Sequence, residues 1–504
     1  MAKDELSRRL KAEFGLSGFR AGQREAIEAV LGGRDAVVVM PTGSGKSLCY
    51  QLAAMMMPGT TIVVSPLIAL MKDQLDALTR RKIAATVINS TVPVEEMRRR
   101  QLAMRRGEYK LVYVAPERFR SDEFRLALSL TEVAMFAIDE AHCISQWGHD
   151  FRPDYLGLGE IVAAKPVARI MALTATATAD VRKDIVAQLR LGEGGRKEPL
   201  VEVLGFARPN LRIVVSDTPT RLEKGRRLAD IVRELRQGIV YVATRKHAAM
   251  VYEFLLKLFH GDKEITPLLY HAGLAEQERR EVHRCFATAK HPVVVATTAF
   301  GMGIDRADIR FVVHWDIPGG IEQYYQEIGR AGRDGKAAHC ELLFAYSDVK
   351  VQNWFIDGAN PDGETALDVW RSFRTTHATI YDSKEIAMKL MIENPIKVET
   401  SVNVLARAGF LKRENVGLLV KYRKAENVEE AEINRLFNSR RDKLYRDRRR
   451  LGAMLDFVYA PGCRHRYILD YFGDSTPDAV CGGCDNCERK NKLEKNDKAR
   501  SRAA

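Results

Sequence analysis

The sequence has no apolar run close to the 18 or so residues that a membrane-spanning helix takes. Its longest apolar stretches, such as Ala36–Met40, are strand-sized. No early segment joins a basic start to an apolar core and a small-residue cleavage site, so no secretory leader is expected. Cysteine is too scattered for a secreted disulfide framework: of eight, Cys49, Cys143, Cys285 and Cys340 stand alone and read as buried or bystander thiols. The other four crowd near the C-terminus, which favours a reducing, cytoplasmic setting. No repeat at solenoid spacing occurs. Charge of one sign does not dominate either, since 79 Lys and Arg face 66 Asp and Glu. The net +13 suits a polyanionic partner, and it suits an ordinary basic enzyme as well.

What is present begins with alternation. Short β-branched runs (Ala36–Met40, Thr61–Ser65, Leu111–Ala115, Val133–Asp139, Ile170–Thr174, Gly238–Ala243, Val293–Thr297, Phe311–Trp315) are separated by helix-length segments. Such spacing predicts βαβ units and parallel sheets, hence an α/β chain with two such domains. The boundary falls near Phe206–Asn210. Asp357–Gly363 reads as a turn-rich linker, and a charged helical stretch is expected over Val428–Tyr459. The resulting division is 1–206 (first lobe), 207–350 (second lobe), 351–427 (insertion), 428–488 (helical, carrying the four clustered cysteines) and 489–504, a basic tail read as disordered.

The segment Met40-Pro41-Thr42-Gly43-Ser44-Gly45-Lys46-Ser47 lies between a strand and a helix. Glycines there let backbone N–H groups converge on phosphates, Lys46 neutralises the β/γ charge and Ser47 can hold Mg²⁺. Met40 stands where glycine is usual. Downstream, the apolar strand Val133–Ile138 ends in Asp139-Glu140-Ala141-His142. A strand-tip Asp139 can hold Mg²⁺, and Glu140 beside it can orient and deprotonate a water.

These two motifs, with Gly329-Arg330-Ala331-Gly332-Arg333-Asp334-Gly335, resemble a superfamily 2 helicase, and the local detail resembles the RecQ family. The further motifs are Ser65–Gln74, Tyr113–Arg118, Leu173–Thr178, Tyr270–Leu274, Ala299–Asp305 and Gln326–Arg330. The resemblance is dense over residues 10–350 and resumes over 445–487. It implies two RecA-like lobes with ATP between them. It implies an adenine-reading element formed by Leu16, Arg20 and Gln23, with an aliphatic Leu16 where some members carry an aromatic. Arg330 and Arg333 are expected as the arginine finger and its partner, His142 as a member of the catalytic set, and Asp305 on the ribose. The segment after the acidic motif resembles the family's aromatic-rich loop. In it Trp147 and Phe151 can stack on bases, and His149 and Arg152 join them.

Cys463, Cys481, Cys484 and Cys487 suit a closed tetrahedral Zn²⁺ site and match the RecQ zinc module. His465 is a possible fifth donor that four thiolates leave unneeded. About 130 positions separate Arg333 from Cys463, more than a connector needs. Within them Ser383–Leu390 and Pro395–Ala408 read as a helix–turn–helix, and Gly409–Glu414 with Leu418–Tyr422 as a wing, against a plain packing domain as the alternative. Between Arg435 and Arg450 lie eight basic and two acidic residues, which suit a phosphate grip or the solvated face of a helix.

The expected activity is ATP-dependent unwinding of DNA, 3′ to 5′ by resemblance alone, in recombination and repair. ATP, Mg²⁺ and Zn²⁺ are the expected cofactors. Single-stranded and duplex DNA are the expected partners, with a single-strand-binding protein as a candidate and the nucleoid as the place of action. Two rivals stay open: a motor that translocates, anneals or remodels RNA without unwinding DNA, and a non-enzymatic DNA-binding regulator. DNA- against RNA-stimulated ATP hydrolysis separates them.

Overall fold

The structure is a computed structural model that describes residues 3–145, 152–155, 157–204, 206–262, 264–298, 300, 306–416, 419–474, 481 and 483–503. Trp147, His149, Phe151 and Asp305 lie outside the described residues.

The β-branched runs do form two parallel sheets. The first contains β1 (Ala36–Val39), β2 (Thr60–Val64), β3 (Ala85–Ile88), β4 (Leu111–Val114), β5 (Val133–Ile138), β6 (Arg169–Thr174) and β7 (Leu200–Val203). Their order is β3-β4-β2-β5-β6-β1-β7, with every pair parallel. The second contains β8 (Leu211–Asp217), β9 (Gly238–Tyr241), β10 (Ile265–Tyr270), β11 (His291–Ala296), β12 (Phe311–His314) and β13 (Ala338–Phe344), in the order β10-β11-β9-β12-β13-β8, again parallel throughout. Five of these strands carry weaker patterns than the runs above. β10 holds Pro267, which a sheet tolerates because β10 is an edge strand. β13 holds Glu341, a carboxylate fully buried inside the sheet.

Helices cover both faces of each sheet, as parallel strands require. One buried apolar cluster runs from Ile138 and Tyr155 in the first lobe, through Phe206 in the linker, to Tyr325 in the second. It continues into helices Arg441–Tyr459 and Arg464–Phe472 through Phe457, Leu469 and Phe472. The zinc-module helices therefore share a core with both lobes. Phe206 stacks on Phe472 at 4.5 Å and packs on Tyr325 at 5.1 Å between ring centroids.

The insertion has a separate core. Helix Gly363–Arg371, β14 (Thr379–Ile380), helix Ser383–Lys389, helix Pro395–Arg407, β15 (Leu411–Val416) and β16 (Leu419–Lys424) follow one another. The strands form an antiparallel β14-β16-β15 sheet, the order of a winged helix. Trp370, Val398, Leu405, Tyr422, Ile433 and Phe437 fill its interior. Asp382 caps the first helix of the pair through the Lys384 and Glu385 amides, and Asn394 caps the second through Ile396, ahead of the compatible Pro395.

Two expectations change. The helix expected over Val428–Tyr459 is two helices, Glu430–Asn438 and Arg441–Tyr459. Ile433 and Phe437 turn the first into the insertion core, so that unit extends past residue 427. Residues 489–503, read as a disordered tail, continue helix Asp485–Ala503, whose first turn is held by Arg464 on Asp485 and by Arg212 on Glu488. Among the described residues no helix is long and apolar enough to cross a membrane.

Phe437→Ala should cost the insertion about 3–5 kcal/mol, the usual range for emptying a buried aromatic site. Hydrogen exchange should then rise across 363–438 and stay unchanged in β1–β7; a rise in both would mean that the cores are not separate.

Candidate nucleotide and zinc sites

β1, β6 and β5 are adjacent, so the segments leaving their carboxyl ends emerge side by side, where open α/β sheets bind ligands. After β1, Gly43 (φ 80°) and Gly45 (φ 84°) take left-handed backbone that bends the chain into helix Lys46–Met56. Lys46 Nζ donates to the carbonyls of Met40 (2.9 Å) and Pro41 (3.2 Å). Burial lowers the Lys46 pKa, and the charges of Glu140 and Asp139 oppose that shift. Met40 is accommodated because its side chain packs beneath Gly22. The hydroxyls of Thr42 and Ser44 are buried in the loop with no partner among the described residues. Two orphaned hydroxyls, an ammonium and a helix N-terminus fit a triphosphate.

Arg20 and Gln23 brace this loop from below. Gln23 Nε2 donates to the carbonyls of Ser44 (3.0 Å) and Gly45 (3.2 Å), its Oε1 accepts from the Arg20 amide (2.9 Å), and Arg20 Nη1 donates to Gly43 O (2.5 Å). Both groups that would read adenine are therefore bonded to the phosphate loop, while Leu16 is exposed.

Asp139 follows β5, and Glu140 sits in left-handed backbone (φ 48°), a strained conformation for a residue with a side chain. Burial first, and the charge of Glu140 second, push the Asp139 carboxyl up to about 7. Glu140 Oε2 lies 3.3 Å from His142 Nδ1, which lies 2.8 Å from Thr174 Oγ1. Thr174 Oγ1 donates to Thr176 O (3.3 Å), and Gln326 Nε2 of the second lobe donates to Thr176 Oγ1 (3.5 Å). His142 of the acidic motif is thus linked through Thr174 and Thr176 to Gln326 of the second lobe.

The facing lobe closes directly on the loop. A Cβ on Gly43 would sit 3.4 Å from both Cγ and Cδ of Arg333, and one on Gly329 would sit 2.8 Å from Thr42 Oγ1. Arg330 is buried, and its charge bears on the Tyr241 phenol, which donates to Phe300 O (3.0 Å). Arg152, the described member of the aromatic-loop set, joins its amide to Cys143 O (2.9 Å) and its guanidinium to Pro66 O (3.4 Å).

The four C-terminal cysteines bring their Sγ atoms within 4.8 Å of one another. Tetrahedral Zn–S bonds of about 2.3 Å put sulfurs roughly 3.8 Å apart, so the cluster fits Zn²⁺. His465 is not a donor: its Nε2 is bonded to Leu211 O (3.0 Å). Arg464 fastens the cluster, pairing with both Asp485 oxygens (3.0 and 3.1 Å) and donating its amide to Cys484 Sγ (3.5 Å).

Three family models match the chain: DEAD/DEAH box helicase over residues 20–185, helicase conserved C-terminal domain over 223–335, and RecQ zinc-binding over 425–488. A probable ATP-dependent DNA helicase RecS of Bacillus subtilis is 36% identical, across 80% of this chain and 82% of its own. The chain belongs to the RecQ family. The ATP-dependent DNA helicase RecQ of B. subtilis is 40% identical over 94% of this chain and 65% of its own, and that of Pasteurella multocida 44% over 67% and 52%. The chain thus spans about half to two thirds of these RecQ relatives. The DNA-bound helicase MrfA shares the fold, with a TM-score of 0.56 at 18% identity over 86% of this chain and 60% of its own.

Sequence reasoning passed over Thr174 and Thr176 as individual residues, and over Arg208 and Asn210 in the linker. The signal for the latter pair was two polar side chains capable of several hydrogen bonds in a segment read only as a boundary.

A carboxyl whose folded pKa is raised supports the fold below its unfolded value, 3.8 for Asp139, and costs stability as pH climbs to about 7. Asp139→Asn should therefore raise the melting temperature of the nucleotide-free protein at pH 8, with the gain shrinking toward pH 4. A gain independent of pH would exclude the carboxyl charge as its cause.

Proposed function

We propose that this chain is an ATP-driven DNA helicase acting 3′ to 5′ on single strands. The observation that carries the reading is the seat of Arg333 against Gly43, which brings a guanidinium from one lobe onto the phosphate loop of the other. The names of the relatives, ATP-dependent DNA helicases, favour DNA unwinding over RNA remodelling and over a non-enzymatic regulator.

In this reading Thr42–Ser47 cradle the triphosphate, and Lys46 loses its carbonyl contacts to the β/γ oxygens. Ser47 and Asp139 would hold Mg²⁺, which would screen the phosphate charge. Glu140 orients the attacking water and takes its proton. Arg330 and Arg333 stabilise charge that spreads over the equatorial oxygens as the bond breaks. The His142–Thr174–Thr176–Gln326 wire lets lobe position bear on Glu140. Gln23 and Arg20 reach the adenine by exchanging partners in the loop, beside Leu16, and Asp305 meets the ribose. Trp147, His149, Phe151 and Arg152 bind single-stranded DNA next to the acidic motif. The zinc ion is structural, since four thiolates leave no open position. The setting is cytoplasmic, at the nucleoid, with a single-strand-binding protein as a partner.

With single-stranded DNA present, Lys46→Ala should lower the ATPase kcat by about a thousandfold and Arg333→Ala by a similar factor. DNA binding, read by fluorescence anisotropy, should persist in both. A wild-type protein whose ATPase ignores DNA would end this reading.

The insertion serves as the duplex grip. Its wing exposes Lys412 and Arg413, and helix Pro395–Arg407 exposes Asn403 and Arg407. Lys412→Glu with Arg413→Glu should weaken duplex binding at low salt about tenfold, and slow unwinding of a forked substrate, while single-strand-stimulated ATPase holds. Unwinding at the wild-type rate would assign the insertion another role.

A further inference from the structure

The loop that carries Arg330 and Arg333 follows helix Ile321–Ile328. A helix leaves its last carbonyls unpaired, and these carry the negative end of its dipole. Here the carbonyls of Tyr325, Glu327 and Ile328 are taken by the Gly329, Arg330 and Ala331 amides, and the next carbonyls, those of the loop itself, are met from outside the lobe's own sheet, by the linker between the lobes. Arg208 Nη2 donates to Ala331 O (2.8 Å) and Gly332 O (3.2 Å), and Nη1 to Gly329 O (3.5 Å). Those acceptors flank Arg330 on both sides and immediately precede Arg333. Asn210 Nδ2 adds bonds to Gly332 O (2.8 Å) and Lys336 O (2.9 Å), and its Oδ1 accepts from Arg208 Nε (3.3 Å). Gly332 has φ 56°, and a Cβ there would lie 2.5 Å from Asn210 Nδ2, so loop and linker fit closely.

The linker is in turn held by the zinc module. The Phe206 amide donates to Asp474 Oδ2 (3.1 Å), its carbonyl accepts from Tyr325 OH (3.1 Å), and its ring lies on Phe472. Arg182 of the first lobe reaches the same place, donating to Phe472 O and Ala177 O, both at 2.8 Å. One path of direct contacts therefore leads from the first lobe and the zinc module, through Phe206–Asn210, to the backbone on either side of Arg330.

We infer that Arg208 and Asn210 are positioning residues for ATP hydrolysis: they set the arginine-bearing loop against the phosphate loop and make its position depend on how linker and zinc module sit. Neither side chain touches the nucleotide. The inference rests on Arg330 and Arg333 acting on the phosphates.

The test uses the full chain with saturating single-stranded oligonucleotide. Arg208→Ala should lower kcat for ATP hydrolysis about tenfold to a hundredfold, the cost of displacing a catalytic group by around an ångström. KM for ATP and the affinity for mant-ADP should stay within about twofold, because the loop arginines act on the transition state rather than on bound ADP. Aluminium fluoride with Mg²⁺ should slow mant-ADP release from the wild type and fail to do so from Arg208→Ala. Arg208→Lys, which can satisfy one carbonyl, should recover part of both readouts. Asn210→Ala should show the same pattern more weakly, and it serves as the test if Arg208→Ala melts early and loses mant-ADP. Wild-type kcat and aluminium fluoride trapping in the folded variants would overturn the inference, as would a loss confined to KM. A wild type without DNA-stimulated hydrolysis would instead fail the motor reading itself.

Discussion

The meeting of two glycines with two side chains from opposite lobes governs this molecule. Arg333 lies along Gly43, and Thr42 lies against Gly329. A β-carbon on Gly329 would force movement, and one on Gly43 would already be in van der Waals contact with Arg333. The parallel sheets, the cap on helix Ile321–Ile328 and the packed linker all deliver these surfaces to one another. The distance between phosphate loop and arginine loop is set by backbone approach, so every element that fixes backbone there bears on chemistry.

The electrostatics of the pocket are poised rather than relaxed. Lys46 is half-buried among Asp139, Glu140 and Arg333, and desolvation is the leading influence on both Lys46 and Asp139, in opposite directions. Lys46 spends its donors on two carbonyls that offer only partial charge. Such an arrangement is ill-satisfied alone and improves when a polyanion and a cation complete it. Glu140 adds strained backbone at the same point.

The legible parts of the sequence were those where backbone geometry dictates residue type. Gly43 and Gly45 announce a loop that only glycine makes cheaply, and four cysteines with short spacers announce a metal. The strands legible as such were short runs dominated by apolar and β-branched residues. β13 was not, because Glu341 interrupts it, and its acceptability depends on partners far away in sequence. Arg227 (2.6 and 2.8 Å), His339 (2.5 Å) and Ser216 (2.7 Å) converge on that carboxylate and, against its burial, hold its pKa down to about 2. The break at Ser439–Arg440 was hidden because charged residues run through both flanking helices; the turn shows only in which core Phe437 joins. The double bonding of Gln23 to the loop was equally out of reach, since an amide's partners depend on tertiary approach.

The separate interior of residues 363–438 has one more consequence. A chain whose lobes and zinc module share one core, while an inserted unit keeps another, need not unfold in a single cooperative step. Calorimetric enthalpy and van 't Hoff enthalpy then part company. Heating can empty the insertion of structure while the two lobes stay folded, so a midpoint followed by one global probe describes neither unit. The natural measure of robustness for this architecture is a pair of free energies, one for each core.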